Sequence, residues 1–224
     1  MKKIALAGVA AIAAIAAPAV ANAQEAGDVQ VKLFATGVVP DGKIKSVDVD
    51  LVGLPAGTDT HANNNVVPTV AVEYFFTDFL SVETICCMTE HDVDVFSGPL
   101  KGAELVSDAK LIPATVTAKL HADLGGVKPY VGAGPTLFLW LNEKAGSTAK
   151  GLGVNGFKMS NDVGFALQAG FDIPIPDSKF GASVDVKRYF IDTTAKWYVD
   201  GTKVIQTVHE LDPWVVSAGV TYRF

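Results

Sequence analysis

Leu211-Asp-Pro-Trp-Val-Val-Ser-Ala-Gly-Val-Thr-Tyr-Arg-Phe224 is the stretch whose pattern decides the fold. From Trp214 onward the alternate residues Trp214, Val216, Ala218, Val220, Tyr222 and Phe224 form one apolar face with aromatics at both ends. Val215, Ser217, Gly219, Thr221 and Arg223 form a smaller, more polar face. This is the period of two of a β-strand. An apolar stripe about ten residues long, bounded by aromatics and ending on Phe, meets the requirement for a strand that crosses an outer membrane in a barrel. An edge strand of a soluble sheet is the plain alternative for this segment taken alone.

The opposite end of the chain predicts export. Lys2 and Lys3 precede an apolar run from Ile4 to Ala17, and Ala21-Asn22-Ala23 offers small residues for cleavage, so residues 1–23 are assigned to a signal peptide and residues 24–224 to a single domain. Beyond that leader no run of ~18 apolar residues occurs, which excludes a helical span although 49% of the 224 residues are hydrophobic. A membrane must therefore be crossed by strands. The net charge of −6 and the lack of a Lys/Arg cluster argue against nucleic acid as a partner. Cys86 and Cys87 are adjacent in a strand-like run, where successive side chains point to opposite faces, so both are expected to be free and buried, one towards lipid and one towards the interior.

Eight strands are predicted at approximately 28–39, 66–76, 79–91, 109–121, 127–141, 160–173, 179–193 and 211–224. The connections alternate in length: 40–65, 92–108, 142–159 and 194–210 are long, whereas Thr77-Asp78, 122–126 and 174–178 are short. Long loops on the outer side and tight turns on the periplasmic side are the pattern of an all-β, eight-stranded antiparallel transmembrane barrel. Residues 98–107 within the second long connection are expected to form a short helix.

Several separated segments resemble the OmpW family of eight-stranded outer-membrane proteins. They are Ala35-Thr-Gly-Val-Val-Pro40, Val82-Glu83 with His91-Asp92, Lys128-Pro-Tyr-Val-Gly-Ala-Gly134, Ile191-Asp-Thr-Thr-Ala195, and Leu211-Asp-Pro-Trp214 with Tyr222-Arg-Phe224. The resemblance implies a narrow barrel in the outer membrane of a Gram-negative cell, related to barrels implicated in the uptake of alkanes and other small hydrophobic compounds. Lys187 departs from the family pattern, in which an aromatic is usual, and a cation in the lumen there would interrupt an apolar channel. The resemblance also implies that Tyr222 and Phe224 serve as an assembly signal for the barrel insertion machinery, with the lipid bilayer and lipopolysaccharide as surroundings.

Lipid does not accept charge near the membrane midplane, so each strand's uncharged face is its outer one. Val29, Val31, Leu33 and Ala35 then face out and Lys32, Phe34 and Thr36 in; Val82, Thr84, Cys86 and Met88 face out and Glu83, Ile85 and Cys87 in. In the sixth strand Val163, Phe165, Leu167 and Phe171 face lipid, and the small inner residues Gly164, Ala166 and Gly170, with Gln168, leave volume. Lys32, Glu73, Glu83, Lys119, Asp172 and Arg223 are expected at the periplasmic side of the lumen, with a conjectured Glu83–Arg223 pair, and Asp185 and Lys187 nearer the middle. Buried charges persist only when paired, so the lower lumen is expected to be an ionic plug. Above it Phe34, Ile85, Cys87, Leu111, Phe138 and Trp140, together with Gly132 and Gly134, are candidates to line a hydrophobic channel. A packed barrel core is the alternative for the same residues. Pro113 and Pro135 lie on neighbouring strands and mark either a bulge or a lateral seam, since proline removes a ladder hydrogen bond.

The chemistry-bearing residues favour no enzyme. His61, His91, His121 and His209 are scattered over loops and strand ends and are expected to be solvated, and no Ser lies two residues from a His. No metal, catalytic residue or cofactor is assigned; the glycines of 128–134 open a strand, not a helix, and so form no phosphate cradle. The expected function is a narrow outer-membrane channel or pocket for small hydrophobic molecules, with lateral release into the membrane as one route. The alternative is a structural or adhesive envelope barrel without transport.

Overall fold

A computed structural model describes residues 25–224; the assigned signal peptide lies outside the described residues. In chain order the strands are β1 (Val29–Val39), β2 (Lys43–Asp50), β3 (Asp59–Ala62), β4 (Asn65–Phe75), β5 (Leu80–Cys86), β6 (Thr89–Ser97), β7 (Glu104–His121) and β8 (Lys128–Leu141). They continue as β9 (Lys144–Ala145), helix α1 (Ser147–Gly151), β10 (Gly156–Met159), β11 (Asp162–Pro174), β12 (Phe180–Phe190), β13 (Asp192–Val199), β14 (Thr202–Glu210) and β15 (Trp214–Arg223).

Eight antiparallel staves close on themselves: β1, β4, β5 continued by β6, β7, β8, β11, β12 and β15. Closure is made by β15 against β1, from Gln30↔Arg223 to Val39↔Trp214. The period of two holds around the wall. Leu33 is 54% exposed while its neighbour Phe34 is 3% exposed, which is the contrast between a lipid-facing and a lumen-facing position. Val72, Val116, Val131, Leu167 and Val220 continue the apolar outer band.

Three short turns gather at one end, the periplasmic one. In the first, the Thr77 hydroxyl accepts from the backbone N–H groups of Phe79 and Leu80 at 3.3 and 3.0 Å. The second relies on Gly125 and Gly126, both at positive φ.

The other end departs from the expectation of long open loops. Four of the segments placed in loops form a second sheet in the order β10-β13-β14-β2, in which Ile205 pairs with Asp50 and Phe157 with Trp197. β3 pairs with β6, and β9 with β7, so this annex is rooted on the extended third and fourth staves. Its core gathers Val106, Ala109, Ala149, Val154, Phe157 and Trp197. The helix expected at 98–107 is absent: Gly98 and Gly102, both at φ +87°, make a reversal, and β7 begins at Glu104. Among the described residues the helix is α1, in the next connection.

Candidate functional site

The lower lumen is filled by an ion-pair network on six staves. Lys32 lies 2.9 Å from Glu73, 3.0 Å from Asp172 and 3.6 Å from Glu83. Lys119 lies 2.9 Å from both Glu73 and Glu83, and Lys187 joins Glu83 at 3.2 Å to Asp185 at 2.7 Å. These side chains are essentially excluded from solvent. Neutral groups complete the network: Gln168 donates to Glu83 and Asp185 at 2.8 and 2.6 Å and accepts from Thr117, while the Tyr130 hydroxyl donates to Asp185 at 2.8 Å. Lys119 stands 3.7 Å over the Tyr130 ring. Paired and hydrogen-bonded in this way, charge is tolerated in a dry interior, and the floor is closed to apolar matter.

Asp185 and Lys187 therefore belong to the same network as the charges below them, not to a separate middle layer. Arg223 stands at the lower edge of this network, linked to Asp172 through Gln30 by hydrogen bonds of 3.5 and 3.1 Å. Its side chain reaches Asp28 at 3.6 Å at the periplasmic rim, so the conjectured pair with Glu83 is replaced by three lysine partners. The reason is stagger: residues on neighbouring staves at one sequence height are displaced along a tilted barrel axis. Sequence reasoning missed Tyr130 and His121, although both lie on inner faces by the same alternation, and it placed Gln168 inward without foreseeing its bonds to the charges; His121 Nε2 is 2.9 Å from Glu73. Nor are three of the histidines solvated. His91, His121 and His209 are buried: His91 and His121 lie on the inner faces of their staves, and His209 lies in β14 of the annex, where a loop was expected.

Above the floor the lining turns apolar. Phe34, Ile85, Cys87, Pro113 and Tyr189 surround a cavity of about 30 Å³ whose base includes Lys187. Leu111 and Phe138 separate it from a second cavity of about 80 Å³, which Trp140 and Leu211 line and which Trp197 and His209 of the annex roof. All six candidate channel residues border one cavity or the other. Gly132 and Gly170 do not. A Cβ on Gly132 would meet Lys119 and Gln168, and one on Gly170 would overlap the Tyr130 hydroxyl, so the volume left by the small residues of the sixth stave is filled at the level of the plug.

The hydrogen-bond ladder beside the smaller cavity is interrupted. The third stave's ladder to β7 is interrupted between Ile85↔Thr115 and Thr89↔Leu111, and its ladder to β4 ends at Val70↔Cys86. Pro113 and Pro68 stand at these interruptions and have no N–H to donate. Cys86 faces outward and Cys87 inward at the same place, and both thiols are free. Pro135 marks a third interruption, between Thr115↔Thr136 and Ala118↔Ala133, but here the backbones stay close: a Cβ on Gly134 would overlap the Val116 carbonyl, and Thr115 and Thr136 bond across at 2.8 Å. The interruption that borders the smaller cavity lies on the Pro113 side, with Pro68 as its unforeseen partner.

The model of the OmpW family matches residues 25–224. The outer-membrane protein y4mB of Sinorhizobium fredii is 32% identical over 216 residues, 96% of this chain and 90% of that protein. Outer membrane protein W of Vibrio cholerae is 28% identical, with 97% of each chain covered. Among solved structures the outer membrane protein OprG of Pseudomonas aeruginosa superposes with a TM-score of 0.79 at 26% identity, covering 90% of this chain and 97% of that one.

Proposed function

The chain belongs to the OmpW family and is an outer-membrane barrel, and from that premise we propose that it passes small apolar molecules from the exterior into the upper lumen and releases them sideways into the membrane. The observation that carries this reading is an apolar cavity standing on a closed ionic floor beside an interrupted ladder. A solute moving straight down would have to part Lys187 from Glu83 and Asp185, leaving charges unpaired in a dry interior. A solute moving sideways past Cys87 and Pro113 stays in apolar surroundings throughout. Residues 86–88 lack ladder bonds to β7, which lowers the cost of local opening there.

Because the register is the same above and below the interruption, Met88 faces Ile112 across it. Cysteines at these two positions, in a chain whose Cys86 and Cys87 are Ser, would lock staves three and four together. Uptake of a hydrophobic solute by cells is expected to fall when the disulfide forms and to recover on reduction. Equal uptake by the locked and the reduced barrel would exclude this lateral route.

A further inference from the structure

An apolar room larger than either lumenal cavity lies outside the lumen. A chamber of about 370 Å³ lies in the annex, between the β13–β14–β2 sheet, helix α1 and the first long connection, whereas the two lumenal cavities measure about 80 and 30 Å³. We infer that this annex chamber is a second binding site, outside the membrane, for a small aliphatic or monocyclic aromatic molecule, which it captures before the lumen does. The inference rests on the transport reading above and adds to it the place of first capture.

Three observations select such an occupant. The size is at the low end of the roughly 300–1,000 Å³ typical of small-molecule pockets, which suits a short apolar molecule. The chamber wall is built from Leu54, Leu152, Val204, Ile205 and Trp197, and its polar side chains already satisfy one another: Thr60 and Thr207 hydrogen-bond to the two nitrogens of His209 at 3.3 and 2.7 Å, and the Thr58 hydroxyl donates to the Pro55 carbonyl at 2.7 Å. What remains turned to the chamber is mostly carbon, so a ligand bringing polar groups would bury most of them without partners. Finally, the chamber adjoins the pathway, since Thr60, Leu105, Trp197 and His209 form one of its walls and also the roof of the upper lumenal cavity. An occupant therefore stands one partition away from the lumen.

The rim is accessible. Leu152 and Val52 are 72% and 58% exposed, so a carboxylate at either position makes the chamber mouth polar without disturbing a packed core. The test uses the mature chain in outer-membrane vesicles, photolabelled with an octyl chain bearing a diazirine and mapped by mass spectrometry. Labels on annex peptides cannot come from the bilayer, because those strands lie beyond it. Saturable labelling of peptides from β2, β14 and α1, competed by n-octane and reduced at least tenfold in Leu152→Asp with Val52→Asp, is expected, with the variant still running as a folded barrel. Labelling of the lumen alone would overturn the annex site and leave the transport reading standing. Labelling of neither would overturn both. Annex labelling that vanishes as the barrel is packed more densely would assign the chamber to a second copy and overturn the inference.

Discussion

Glu83 has three lysines around it, at 2.9, 3.2 and 3.6 Å, and is 1% exposed, so its carboxylate is held by more charge than any single substitution can replace. Glu83→Gln leaves those lysines with one fewer counter-charge in a dry interior and is expected to cost ~3–5 kcal/mol. Arg223→Leu removes a partly exposed rim pair and is expected to cost about 1 kcal/mol. Urea unfolding of both variants in lipid vesicles compares them, and equal losses would place Arg223 energetically inside the plug. His209 behaves differently because it lies in the annex. Burial pushes its pKa down to about 4, against the smaller opposing pull of Asp59. The unfolded chain, with an ordinary His near 6.5, then binds the proton more readily between those values, so stability falls as pH drops from about 6.5 to 4, by on the order of 3 kcal/mol. Protection factors of the β13 and β14 amides, taken relative to the intrinsic exchange rate at the same pH, are expected to fall at pH 4.5 relative to pH 7, and pH-independent protection would contradict the burial of a neutral imidazole.

At the scale of the element, β7 and β8 show how a proline can interrupt a ladder without opening a wall. Gly134 allows the two backbones to touch where Pro135 cannot donate, and any Cβ there would overlap the Val116 carbonyl. Gly134→Val is accordingly expected to destabilise the barrel by roughly 1–3 kcal/mol through overpacking, measured by the temperature at which the folded band is lost on an unheated gel. β15 raises a question of assembly. Phe224 is 66% exposed, beside Tyr222 at a ring distance of 4.9 Å, and its N–H bonds to the Val29 carbonyl at 2.9 Å. Little folded-state packing depends on its ring, so deletion of Phe224 is expected to lower the amount of protein in the outer membrane far more than the stability of the barrel refolded in detergent. Unchanged membrane levels would remove the assembly role.

Taken whole, the molecule is a barrel closed at the periplasmic half by ions and extended outward by a second sheet, with apolar space increasing from about 30 through 80 to 370 Å³ towards the exterior. Such a body discriminates by polarity before size. Liposomes carrying it are expected to exclude a sugar-sized polar solute while the membrane takes up an apolar solute of similar size faster than in protein-free controls; equal rates for the apolar solute with and without protein would favour a structural or adhesive role.

Alternation along single strands was enough to determine the number of staves, the side of each that meets lipid, and the residues that enter the lumen, since that information is local and has a period of two. Lys32, Glu73, Glu83, Lys119, Asp172, Asp185 and Lys187 all lie inside for this reason. Which of them touch was decided by stagger between staves, a property of the closed barrel that set Arg223 at the lower edge of the plug and brought Lys187 to Glu83. The annex was equally out of reach. Lys43–Asp50 and Thr202–Glu210 alternate like any strand, but each is the other's partner across more than half the chain, and only the tertiary structure pairs them. Cavity volume depends on the same long-range pairings, which is why the sequence pointed to an apolar lumen while the greater apolar space formed outside it.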